Sequence, residues 1–271
     1  MSKYYKNRIM GMGAWVVTFL FLCLPVVWGQ AEVGTLTVSG GSEGTDYTYV
    51  DNTYTILTEK ALTFSGTTTT TDHIVVKEGV TANVILNGVD IKLTDGGGDE
   101  GSVGTSAFFL KRNANLTLTL QGNNTLQSGH KTAGIQVEKG ASITITGGGT
   151  LTSQGGWGGA GIGAGAGTSC GTILIKNGTV NAYAGDWAFG LGVGEFSKMT
   201  SPKEAIIQIE GGTVHAGGNN WGSSSMIGTI KISGGSVTTS YHTHEKGTRE
   251  YRGNTFGDIT ILGSSILISG R

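Results

Sequence analysis

"GTILIKNGTVNAYAG", residues 171–185, sets the pattern of this chain. In "TILIK" the residues Ile173 and Ile175 fall on one side of an extended backbone, because side chains alternate faces with a period of two. "KNGTV" then supplies a turn of small and polar residues, and a further short extended piece follows it. The same arrangement returns along the chain. "NGVDI", "GNNTL", "GGGTL", "KNGTV", "EGGTV", "SGGSV" and "LGSSI" end at residues 91, 126, 151, 180, 214, 237 and 266, with spacings of 35, 25, 29, 34, 23 and 29. An alternating strand precedes each. The pairs expected to face inward are Val84/Leu86, Leu118/Leu120, Ile143/Ile145, Ile173/Ile175, Ile207/Ile209, Ile230/Ile232 and Ile259/Ile261.

A third short apolar piece lies upstream in most repeats: "AFFL" at 107–110, "AGIQV" at 133–137, "AGIGA" at 160–164 and "FGLGV" at 189–193. Three strands per repeat with no helical period predict an all-β fold. Its form is a single-stranded, right-handed parallel β-helix, a solenoid of about 7–9 coils. Stacking buries the apolar face that one coil cannot bury alone. A β-sandwich also explains the alternation, but not the return of one motif in one order. Unequal spacings follow because insertions enter turns without disturbing stacked strands.

The chain has 271 residues, 49 glycines and two prolines. Residues 1–31 read as a signal peptide: Lys3, Lys6 and Arg8, an apolar run over 11–28, then "GQA" at 29–31. The expected product is exported, to the extracellular space, cell surface or periplasm, with no membrane span after cleavage. Cleavage leaves 15 basic and 19 acidic residues, about −4, which argues against nucleic acid. Of the two cysteines only Cys170 remains, so no internal disulfide is available. Residues 32–73 are less regular and are expected to form an N-terminal cap and first coil, leading into repeats over 74–271. "TTTTT" at 67–71 reads as an exposed turn or strand edge.

Distinctive side chains gather in the turn between the third strand of one repeat and the first of the next. Trp157, Trp187 and Trp221 occur there in "QGGWGGAGIG", "AGDWAFGLG" and "GGNNWGSSSMIG". Stacked turns would set these rings in a row on one edge, with Tyr183 nearby. Coil spacing near 5 Å resembles the advance of a sugar chain. An indole suits the apolar face of a sugar, and Asp186 and Asn220 could bond its hydroxyls. The alternative is an aromatic stack that only packs the turns.

"DGGGDEG" at 95–101 offers Asp95, Asp99 and Glu100 as oxygen ligands for Ca²⁺, against a solvated acidic loop. No cofactor is required. "HTHE" at 242–245 sets His242 and His244 on one strand face, with His215 or Glu245 as a further ligand, against an exposed insertion. Cys170 reads as a buried small residue. "GAGIGAGAG" at 159–167 has no following helix to hold a phosphate.

Along "AGIGAG…CGTILIKNGTVNAYAG", 160–185, echoed by "FGLGVG…AIIQIEGGTVHAGG" and "SMIGTIKISGGSVTTS", the chain resembles secreted bacterial parallel β-helix proteins classed as carbohydrate-binding domain-containing. The resemblance covers about 74–240 well and implies a non-catalytic binder of plant or acidic polysaccharide, sometimes with Ca²⁺. The expected function is therefore binding of a polysaccharide or glycan. Two alternatives stand beside it: a structural or adhesive surface protein with no small ligand, and a β-helix polysaccharide lyase or hydrolase. Against catalysis, the strand acids Asp90, Glu138 and Glu210 lie in three different coils.

Overall fold

Successive strands visit three sheets in rotation, and this sets every other feature of the structure. The computed structural model describes residues 35–97, 101–195, 205–218, 223–240, 255–256, 259–262 and 267–270. Among them there are strands and turns but no helix, and so no helix long and apolar enough to cross a membrane. Residues 1–31, read from the sequence as a signal peptide, lie outside the described residues. Val33–Arg271 forms one compact unit.

Sheet I contains Thr37–Ser39, Ala61–Ser65, Thr81–Asn87, Asn115–Gln121, Ser142–Gly147, Thr172–Ile175, Ile206–Ile209, Thr229–Ile232 and Ile259–Ile261, in that order. Sheet II runs from Asp90–Lys92 through Asn123–Gln127, Thr150–Gln154, Thr179–Ala184, Thr213–Gly218 and Ser236–Ser240 to Leu267–Gly270. Sheet III begins with Tyr47–Val50 and Thr53–Ile56. It continues through His73–Val76, Phe108–Leu110, Ile135–Val137, Ile162–Gly163, Phe189–Gly192, Ser224–Ile227 and Thr255–Phe256. From His73 onward the chain passes from sheet III to I to II and back, and each strand pairs in parallel with its counterpart one circuit away.

The register is set by like residues on like. Ile143 pairs with Leu116 and Ile173, and Ile173 with Ile207. The expected inward pairs from Val84/Leu86 to Ile230/Ile232 are all buried. In the last pair, Ile261 is 48% exposed, because Ile259–Ile261 is the edge strand of sheet I among the described residues. Fully buried side chains of this size each contribute roughly 1.5–3 kcal/mol. "TTTTT" divides: Thr67 to Thr69 are exposed, whereas Thr70 is buried and bridges to Ile91, extending sheet II by one residue.

The first turn of the stack is closed by antiparallel pairing. Thr37–Ser39 lies antiparallel on Ala61–Ser65, and Tyr47–Val50 on Thr53–Ile56. Buried Asp72 holds these pieces together, accepting from the Leu36 N–H at 2.9 Å and the Tyr49 hydroxyl at 2.8 Å. Burial and the Asp72 bond push the Tyr49 phenol up to about 12. Tyr54 donates to the Leu36 carbonyl, stacks on Tyr49 and meets Phe64 edge-on.

One internal polar residue ties three circuits. Asn124 is buried; its Oδ1 accepts from the Val89 N–H at 3.0 Å, and its Nδ2 donates to the Gln121 and Thr150 carbonyls at 2.9 and 3.1 Å. The bond to Val89 satisfies a buried N–H at the corner between sheets I and II, and the two amide donors tie the neighbouring circuits to it.

Candidate functional site

The turns from sheet II back to sheet III form the edge to which the aromatic residues belong. Three successive turns, 129–132, 156–159 and 185–188, superpose one circuit apart. The Thr132 N–H closes the first on the Gly129 carbonyl, and the Gly159 N–H closes the second on Gly156. Between circuits, Lys131 N–H donates to Trp157 O at 2.8 Å and Gly158 N–H to Asp186 O at 3.1 Å. The third residue of each turn has positive φ, as a type II turn requires: Lys131 at 63°, Gly158 at 73° and Trp187 at 59°. The first position admits only glycine. A β-carbon on Gly156 would stand 1.9 Å from the Gly129 carbonyl oxygen, and one on Gly185 would stand 1.8 Å from that of Gly156.

This register corrects the expected tryptophan row. His130, Trp157 and Asp186 share the second turn position; Lys131, Gly158 and Trp187 share the third. Trp157 and Trp187 are thus one residue out of phase, because the turn fixes the position of each ring, not its distance to the next strand. The ring that stacks on Trp157 is His130, with centroids 5.0 Å apart and planes 5° from parallel. Trp157 is 37% exposed, while Trp187 is half-buried. The Lys131 ammonium lies 6.0 Å from the Trp157 ring centre and donates to the Gly101 carbonyl at 2.9 Å. Trp221 and Asn220 lie outside the described residues.

Tyr183 belongs to a different surface. It sits half-buried on the outer face of sheet II, paired with Gln154 and Gly217, and its ring is 5.4 Å from His215. His215 Nε2 is 3.3 Å from the Ser240 hydroxyl. Burial holds the His215 imidazole below its usual range.

Glu195 joins the turn edge from elsewhere in the chain. It follows the sheet III strand Phe189–Gly192, and its N–H donates to the Gly158 carbonyl at 2.8 Å. Its side chain lies over Gly158: Oε2 is 3.1 Å from where a Gly158 β-carbon would stand. The residue is 8% exposed, and Oε2 has no hydrogen-bond partner. Burial pushes its carboxyl up to about 7; Lys131 opposes the shift and Asp186 adds to it. Burial also raises the Asp186 carboxyl. The edge therefore combines an accessible indole, an ammonium and two carboxyl groups.

No model of a protein family, no curated protein and no solved structure matches this chain. Function must accordingly be argued from the edge itself.

The remaining candidates have structural roles where they are described. Both Asp95 oxygens are engaged by Thr105, Oδ1 by its N–H at 3.0 Å and Oδ2 by its hydroxyl at 2.6 Å. Asp99 and Glu100 lie outside the described residues, as do His242, His244 and Glu245. Among the described residues no three His, Cys, Asp or Glu side chains gather to hold a metal. Cys170 is buried and free, and burial pushes its thiol up to about 12. Sequence reasoning passed over His130 and Glu195. His130 becomes visible once Gly129, Gly156 and Gly185 are aligned as one turn position. Glu195 leaves only the hint of an insertion within the 34-residue spacing.

Proposed function

We propose that this chain is a secreted, right-handed, single-stranded parallel β-helix of about 7–9 coils that binds polysaccharide at its sheet II-to-III turn edge without cleaving it. The rotation of strands through three sheets supports the architecture, and the rule for parallel crossovers supports the hand. The observation that carries the function is Trp157: a partly exposed indole braced by the parallel ring of His130, on a turn one circuit from the carboxyl of Asp186. An indole so held offers an apolar face at little entropic cost, and neighbouring carboxyls accept bonds from sugar hydroxyls. Two strand acids considered for catalysis are engaged in the scaffold: Asp90 accepts from the Thr69 hydroxyl, and Glu138 from the Arg112 N–H. The resemblance to carbohydrate-binding β-helix proteins points the same way.

The test is an array of soluble and immobilised glycans probed with the mature chain, with and without Ca²⁺. Binding that Trp157→Ala abolishes in a folded protein supports the proposal. Absence of binding across the array favours a structural surface protein. One observation favours glycoside hydrolysis as a second reading: Asp186 lies close enough to act on Glu195, and burial raises both carboxyls. Release of reducing ends from any bound polysaccharide would establish that reading instead.

A further inference from the structure

Among the described residues, two buried side-chain polar atoms lack a hydrogen-bond partner: His130 Nδ1 and Glu195 Oε2. Both belong to residues packed against the single turn 156–159. His130 covers one face of Trp157, and Glu195 lies over Gly158. Buried polar atoms are nearly always paired; His130 Nδ1 lies against Gly101, so it is Glu195 Oε2, over the turn that carries Trp157, that points to a missing donor.

The ladder of turns shows where that partner fits. At the second position the order is His130, Trp157, Asp186: two parallel rings, then a residue with no ring. At the third position the order is Lys131, Gly158, Trp187, and the glycine leaves room for the Glu195 carboxyl. One circuit spans about 4.8 Å, close to the separation of stacked rings. A third place in the His130–Trp157 stack would fall at the level of Asp186, one circuit on from Trp157, where Asp186 acts on Glu195.

We propose, building on the glycan-binding function above, that this place takes one pyranose ring without a carboxylate, stacked on Trp157, with a ring hydroxyl donating to Glu195 Oε2. The hydroxyl supplies the donor that the buried oxygen lacks. Charge narrows the sugar class. Asp186 and Glu195 repel a uronate, and Lys131, the ammonium that lies near the ring among the described residues, already donates to the Gly101 carbonyl. The acidic polysaccharide implied by family resemblance is therefore disfavoured in this slot.

The experiment measures affinity of the mature chain for soluble β-1,3-glucan, β-1,4-glucan, galactomannan and xylan, beside polygalacturonate. Asp186→Phe fills the third place with a protein ring, and Glu195→Ala removes the acceptor. Thermal melts check that each variant is folded, and Trp157→Leu serves if Asp186→Phe is not. The expected result is binding to at least one neutral polymer, weakened roughly tenfold or more by Asp186→Phe and by a smaller factor by Glu195→Ala. Wild-type binding that neither variant alters overturns the slot and leaves the glycan-binding function standing. Tighter binding of polygalacturonate than of every neutral polymer overturns the sugar class. No binding by the wild type removes the underlying function, and the slot with it.

Discussion

Replacing Glu195 by Gln should make the protein more stable at pH 8 than at pH 5, relative to wild type. The carboxyl titrates near 7 in the folded chain against an ordinary 4.5. Between these values the native state holds a proton that the unfolded state has released. Stability therefore falls as pH rises through this window, and the loss is complete above about 7. The interval corresponds to roughly 3 kcal/mol at full burial, and to roughly 1–2 kcal/mol once water at the turn edge is allowed for. Lys131 and Asp186 are the charged groups acting on Glu195, with opposite sign, and both are unchanged in the variant. For a domain of this size the gain in melting temperature at pH 8 should exceed that at pH 5 by roughly 3–6 °C. Thermal melts of both proteins at the two pH values measure it. An equal difference at both pH values would show that Glu195 ionises freely, and the buried-acid account of the edge would fail.

Three other outcomes follow from the scaffold. Asn124→Ala strands the Val89 N–H and the Gln121 and Thr150 carbonyls, and should lower unfolding free energy by about 3 kcal/mol in urea denaturation. A loss within experimental scatter would mean that water replaces the amide. Gly156→Ala drives a β-carbon into the Gly129 carbonyl and should destabilise by about 3 kcal/mol, whereas Gly148→Ala, with open space around it, should be near neutral. Cys170 should resist a disulfide reagent at pH 8 in the native protein and react once the chain is unfolded in urea; rapid native labelling would contradict its burial.

The strands were legible because parallel stacking asks the same question of every circuit. Ile143, Ile173 and Ile207 answer it identically, and a period of two in "SITIT", "TILIK" and "IIQIE" records the answer. The phase of the turns was harder to read. Trp157 and Trp187 look equivalent in glycine-rich surroundings, yet only hydrogen bonds between circuits reveal that one follows the first glycine of its turn directly and the other by two residues. Glu195 was hidden for a different reason. It reaches Gly158 across the stack from a segment 37 positions later in the sequence, and no local pattern encodes that meeting. Asp95 has a role that its setting among glycines did not announce: it accepts from the Thr105 N–H and hydroxyl across its own loop.

The antiparallel closure around Asp72 has a consequence for how the molecule is made. Circuits touch their immediate neighbours, so order can spread along the chain from any finished end. The closed end precedes every parallel circuit in the chain, so it leaves the ribosome before them. It presents a ready template on one side only, and each newly emerging circuit can dock on the one before it. Assembly of this kind is vectorial, and a lesion near Asp72 should delay every later step where the same lesion near the opposite terminus would not.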